Sequence, residues 1–315
     1  MQNAGQDSET SLGCLAVLFF KDNQQAMQSC LVRPARVFRI AIVLAFLLTP
    51  LLTPAQEKIQ PADLVAKHLE SIGSAKARAA VKTRIFVGTS QVIFRTEPSG
   101  QAIGRAVLAS EGDKQLVGMS FPTPVYPREQ FGFNGTTFMA AFVTPGVRSV
   151  LGGFLMTNDV IFKQGLMGGV LSSTWPLLND GTVAQLDYAG SRKIDDREVI
   201  EFRYRPRGGS DLEITLSFDK ENFRHLRTEY KRVIPAQMDT RAYSNIQTRE
   251  SRYKMIEDFS LFKAEGELTL PHIYTIRLSA DTQNGTFSAD WTIKLTQFVF
   301  NDKIDPNSFT ISANQ

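Results

Sequence analysis

The stretch HIYTIRLSADTQNGTFSADWTIKLTQFVFND, His272 to Asp302, decides the fold. Asn284-Gly285 at its centre predicts a hairpin, because both residues accept the positive φ of a tight two-residue turn. Beyond the turn, Trp291, Ile293 and Leu295 fall on one face of the second strand. Strict period-2 alternation means a strand with one buried face and one wet face. The same pattern recurs upstream. In REVIEFRYRP, Ile200, Phe202 and Tyr204 alternate with Glu201, Arg203 and Arg205. In DLEITLSFD, Leu212, Ile214, Leu216 and Phe218 oppose Glu213, Thr215 and Ser217, and HLRTEYKRV continues the alternation.

Towards the N-terminus, VKTRIFVGTSQVIFR, QAIGRAVLASEG and KQLVGMSF read as a meander broken by the turn segments EPSG and SEGD. FGFNGTTFMAAF carries a second hairpin signal at Asn134-Gly135. Ahead of the meander, QPADLVAKHLESIGS predicts a helix with Pro61 near its start and Gly73 as its stop. Leu64, Val65, His68, Leu69 and Ile72 share one face of it. The result is an antiparallel sheet with a single apolar face, which something must cover.

Two segments are available as cover: the N-terminal helix and PGVRSVLGGFLMTNDVIFKQGLMGGVLSSTWPLLNDG, a helical insertion over about residues 144–179. Pro145 can start a helix in which Val147, Val150, Leu151, Phe154 and Leu155 recur at helical spacing. A second apolar run carries Leu166, Met167, Val170, Leu171 and Trp175. Gly152-Gly153 and Gly168-Gly169 interrupt these runs, each glycine costing ~1 kcal/mol of helix stability against alanine. Such loosely specified apolar helices suit a lid or mobile plug, and suit equally well an ordinary helical hairpin packed on the sheet.

RVFRIAIVLAFLLTPLLTPAQEK, Arg36 to Lys58, sets the compartment. Its apolar core, Ile40 to Leu52, has the length of a signal-peptide core and falls short of the ~20 residues that span a bilayer. Arg33, Arg36 and Arg39 precede it, and Thr53-Pro54-Ala55 supplies small residues for cleavage after Ala55. Residues 1–32 read as a non-native N-terminal extension, 33–55 as a signal peptide and 56–315 as one domain. The expected location is the periplasm; the alternative is an inner-membrane anchor through residues 40–52. Cys14 and Cys30, the only cysteines, lie upstream of the cleavage site, so the exported chain has no disulfide, no thiol nucleophile and no cysteine metal ligand.

Four basic and three acidic residues precede Gln56, which leaves the remainder at a net charge of +2. No Lys/Arg run appears, and nucleic-acid binding gets no electrostatic support. His68 lies on the apolar face of the helix and reads as a core histidine. His225 sits among basic neighbours and reads as facing water, and His272 reads as structural. Asp195-Asp196 reads as a turn, and Asp187 and Glu257-Asp258 as isolated carboxylates. Motifs for nucleophilic, metal, phosphate or dinucleotide chemistry are absent from the sequence. The reading is of a non-enzyme without cofactor, catalytic residue or metal.

The segment Gly266 to Pro271, the hairpin from Ile273 to Phe300 and the tail Asp305-Pro306-Asn307-Ser308-Phe309 resemble the end of the LolA/LolB superfamily. The opening helix LVAKHLESIG is similar to the start of its larger members. The resemblance implies an α+β fold, an incomplete antiparallel β-barrel wrapping an N-terminal helix and a central helical lid. It also implies a hydrophobic cavity that holds lipid or the acyl chains of lipoproteins. Phe154, Leu155, Leu166, Met167, Leu171, Trp175, Phe202, Phe218 and Trp291 are the residues taken for the cavity or its lid, since large apolar side chains without polar demands suit acyl chains. The implied role is a monomeric carrier. The alternative is an envelope sensor or scaffold that uses the same fold and contacts envelope membrane proteins.

Overall fold

The computed structural model describes residues 58–178, 180–236 and 249–312, all within one unit, Glu57–Gln315. The expected extension and signal peptide lie outside the described residues. Helix α1 (Pro61–Ile72) opens on Pro61 and ends at Gly73, and α2 (Ala75–Ala80) follows, capped by Ser74. Twelve strands then form one sheet: β1 (Thr83–Phe94), β2 (Gly100–Glu111), β3 (Lys114–Ser120), β4 (Arg128–Phe133), β5 (Phe138–Ala140), β6 (Leu186–Ile194), β7 (Arg197–Tyr204), β8 (Glu213–Asp219), β9 (His225–Ile234), β10 (Ser251–Glu265), β11 (Leu268–Thr282) and β12 (Gly285–Phe300).

The order is β5-β4-β3-β2-β1-β12-β11-β10-β9-β8-β7-β6, and every pairing between these strands is antiparallel. The first and last strands meet in the middle, and β5 and β6 remain as unpaired edges. This is the expected incomplete barrel. The expected turns form as well. The β11–β12 turn sits one residue earlier than expected: Gln283 and Asn284 join the strands, with Thr282 paired to Gly285, whose φ is 114°. Asp195 and Asp196 take φ 48° and 65° between β6 and β7, and Asn134 closes the β4–β5 turn through its side chain.

The connector from β5 to β6 leaves one free edge of the sheet and returns to the other. It contains α3 (Val150–Thr157), α4 (Val160–Lys163) and short 3-10 turns at Gly169–Leu171, Pro176–Leu178 and Asp180–Gln185. The structure corrects two expectations here. Pro145 does not start the helix: Pro145 and Gly146 form a turn bridged between Thr144 and Val147, and Val147 is 55% exposed. The helix starts at Ser149, whose hydroxyl accepts from the Gly152 N–H and so satisfies an otherwise orphan donor. The second apolar run is not a regular helix, because Gly165, Gly168 and Gly169 all take positive φ, which no right-handed helix contains.

The apolar faces of α1, the connector and the sheet merge into one buried cluster. A smaller cluster lies elsewhere, where the tail residues Ile304, Phe309 and Ile311 pack against Ala109, Leu116 and Ala141. Among the described residues, no helix is long and apolar enough to cross a membrane.

Candidate functional site: a buried polar cradle under the connector

Phe154, Leu155, Leu166, Met167, Leu171, Trp175, Phe202, Phe218 and Trp291 all belong to the main buried cluster. The connector contributes the first six, and the strands β7, β8 and β12 the other three. Aromatic rings join the layers. Phe162 of α4 stacks on Phe138 of β5 at 4.4 Å, and Phe154 of α3 lies 5.9 Å from Tyr253 of β10.

Polar groups hold the connector as well, and a row of them lies on three neighbouring strands. Arg84, Ser110 and Gln115 are directly opposed across β1, β2 and β3, so their side chains share the inner face. Arg84 donates to the carbonyl oxygens of Val170 at 2.5 Å and Ser172 at 3.1 Å, and Ser110 Oγ accepts from the Ser173 N–H at 2.9 Å. Gln115 donates to the Met167 oxygen at 2.7 Å and accepts from Thr174 Oγ1. Burial of the guanidinium pulls the Arg84 pKa down to about 10.

Glu257 grips the same loop from the far side of the barrel. Its Oε1 accepts from the Gly168 N–H at 2.8 Å and from Tyr274 Oη, and its Oε2 lies 2.6 Å from Tyr230 Oη. Burial raises the carboxyl pKa to about 7, against the opposite pull of the hydrogen bonds it accepts. Desolvation and the neighbouring carboxyl push both tyrosines well up. Tyr274 Oη shares Oε1 with Gly168, and Tyr230 Oη donates to Oε2.

The third contact is aromatic. Trp175 Nε1 donates to His68 Nε2 at 3.0 Å, and His68 Nδ1 donates to the Phe223 oxygen at 3.0 Å. That assigns a neutral imidazole with its proton on Nδ1, and burial lowers the His68 pKa to about 4. His68 is therefore a core residue, as read from the helix pattern. His225 is not on a wet face. It is fully buried and stacks on Trp175 at 4.6 Å. The cause is a register shift between β8 and β9: Ser217 pairs with Arg227 and Phe218 with His225, so the extra residue Leu226 turns His225 inward. Desolvation drives its pKa well below the ordinary value.

A second buried carboxyl lies near the start of α3. Glu129 is bonded by Tyr126 Oη, which in turn accepts from Trp291 Nε1 at 2.8 Å. Burial raises the Glu129 pKa to about 7. His225 Nε2 lies 3.0 Å from both Thr228 Oγ1 and the Arg227 oxygen, and no group of three or more metal-binding side chains occurs among the described residues. Arg84, Ser110, Gln115, Glu257 and His68 each make a hydrogen bond to the connector.

No protein-family model and no curated protein sequence matches the chain. Solved structures are similar in fold. A DUF1329 family protein from Desulfovibrio piger is 11% identical with a TM-score of 0.42, over 82% of this chain and 100% of that one. A LolA superfamily protein from Nitrosomonas europaea is 11% identical with a TM-score of 0.39, over 80% and 98%. A domain assigned to outer membrane lipoprotein sorting from Vibrio parahaemolyticus is 14% identical with a TM-score of 0.36, over 78% and 97%.

Proposed function

We propose that the chain is a periplasmic, non-catalytic carrier that binds lipid or lipoprotein acyl chains inside the open barrel. One observation carries this reading: an apolar segment, tied to both free edge strands, fills the space a closed barrel would need no plug to fill. Interiors are packed to the density of organic crystals, so an acyl chain enters only where packed side chains can leave. The α3–α4 part of the connector can leave without breaking the strand pairings of the sheet. Its helix α3 is apolar along its length and carries Gly152-Gly153, so it is weakly specified as a helix. The export reading of residues 33–55 and the tail Asp305 to Phe309 agree with this role.

Native mass spectrometry of the purified exported protein tests the proposal. The expected result is mass attributable to co-purified phospholipid or acylated peptide, removed by organic extraction. A protein that emerges empty and takes up no added lipid would overturn it, and a tight protein partner in place of lipid would favour the sensor role.

A further inference from the structure

We infer that only the first half of the connector, α3 and α4, swings out, and that alkyl chains bind in the space it leaves against β4, β5 and β10; the segment Leu166–Leu178 stays fixed. This rests on the carrier reading for its ligand and on the hydrogen-bond pattern for its moving part.

The two halves are anchored differently. The polar contacts of Leu166–Leu178 with strands and α1 come chiefly from buried side chains, namely Arg84, Gln115, Glu257 and His68. Withdrawing this segment would strand an arginine, an amide and a carboxyl in an apolar interior, and unmade buried hydrogen bonds carry the full desolvation cost of each group. Each of the following contacts of α3 and α4 pairs a buried group with a partly exposed one, Arg148, Arg232 or Gln164. Arg148 donates to the Ala140 oxygen, Arg232 to Asn158 Oδ1, and Tyr204 Oη to Gln164 Oε1. Arg232 also has Asp211 at 3.7 Å to fall back on. Water can take over at the partly exposed guanidinium groups of Arg148 and Arg232, which leaves the neutral, buried Tyr204 hydroxyl to give up its bond.

The backbone supplies pivots at both ends. Gly146 takes φ 77° with open space around its α-carbon, and Gly165 takes φ 70° where the moving half meets the fixed one. A side chain at Gly165 would meet the Thr174 oxygen, so the fixed half begins there, folded back on itself. Val147 and Val150, at the start of the moving half, are 55% and 40% exposed, so that end is already partly solvated. Beneath α3 and α4 lie Phe131, Phe138, Ala140 and Tyr253. Between the buried Glu129 near one end of α3 and Arg232 at the other, the wall is made by Phe131, Phe138, Ala140 and the ring of Tyr253, which suits a saturated alkyl chain.

Two measurements test this. Hydrogen exchange on the ligand-free protein should show amides of Val150–Lys163 exchanging about 100-fold faster than those of Leu166–Leu171. Exchange of both halves as one unit, or the reverse order, would overturn the division. The second measurement is a staple. A β-carbon built on Gly152 lies 3.6 Å from Ala140 Cβ, inside the ~3.5–4.5 Å range of disulfides. In a chain with Cys14 and Cys30 replaced by serine, oxidised Ala140→Cys/Gly152→Cys should lose uptake of pyrene-labelled hexadecanoic acid at least about tenfold and regain it on reduction. Unchanged uptake in the oxidised protein would overturn the assigned binding space. A wild-type protein that takes up no probe would sink the carrier reading, while hydrogen exchange would still decide which half moves.

Discussion

Val150–Lys163 and Leu166–Leu178 are halves of one apolar connector, similar in composition yet attached by different physics. The first is held by ring contacts and by polar pairs that each include one partly exposed group. The second is held by a row of polar side chains on three adjacent strands, by Glu257 across the barrel and by an indole–imidazole bond. Apolar contacts are non-directional and can slide, whereas buried hydrogen bonds are directional and costly to leave unmade. One interior can therefore hold a rigid strut and a movable cover side by side.

The largest expected effect comes from treating the halves alike. Trp175→Asp places an unpaired charge in the core and removes the donor to His68. It should abolish cooperative folding, seen as loss of the near-ultraviolet signal and of a thermal transition. Phe154→Asp should leave the sheet folded, because α3 can move into water, and should abolish alkyl-chain uptake. Two unfolded variants would erase the distinction.

A similar contrast holds for backbone. Gly165→Ala forces a β-carbon to within 1.9 Å of the Thr174 oxygen at a positive φ, so it should destabilise by roughly 3 kcal/mol or more in denaturant titration. A loss under about 1 kcal/mol would mean that the fixed half is not rigid there.

The third effect is smaller and depends on pH. Glu257 is raised to about 7 from 4.5, so the folded state holds a proton that the unfolded state gives up. Its contribution grows as pH falls from about 7 to 4.5 and is lost as pH rises through 7. His68 acts oppositely. Its pKa is lowered to about 4, so stability is lost as pH falls from 6.5 towards 4. The two trends oppose each other in the wild type, and Glu257→Gln separates them. Relative to wild type, the variant should be less stable at pH 5 than at pH 8, by up to about 3 kcal/mol. A difference that does not change with pH would mean Glu257 is ionised throughout and the fixed half lacks its proton-bearing contact.

The sheet is legible from the sequence because one buried face writes itself at period two, and the turns because Asn-Gly and Asp-Asp tolerate positive φ. The cradle is written in the same code but as exceptions to it. Arg84 stands two residues before Phe86, Gln115 two before Val117, Glu129 two before Phe131, and Glu257 between Met255 and Phe259. Each occupies a core position of its strand, and a charged or amide side chain at such a position marks a buried polar contact. His225 escaped this reading because a one-residue bulge reverses the alternation, and nothing local announces the bulge. The path of residues 165–178 was not legible either, since its partners lie about 50 to 110 residues away in sequence.

The smallest expected effect tests the movable half by strengthening it. Gly153 lies inside α3 with open space where a β-carbon would go, and its φ is not in the left-handed region. Gly153→Ala should therefore stabilise the helix by about 0.5–1 kcal/mol, by removing backbone freedom from the opened state. If α3 opens as a local unit, its amide exchange should slow by a factor of about 2–5, with no change in Leu166–Leu171. Alkyl-chain uptake should slow by a similar factor, because the gain is confined to the closed cover. Slowing spread equally over both halves would mean that the connector opens as one piece and that the cradle of Arg84, Gln115 and Glu257 lets go together with α3.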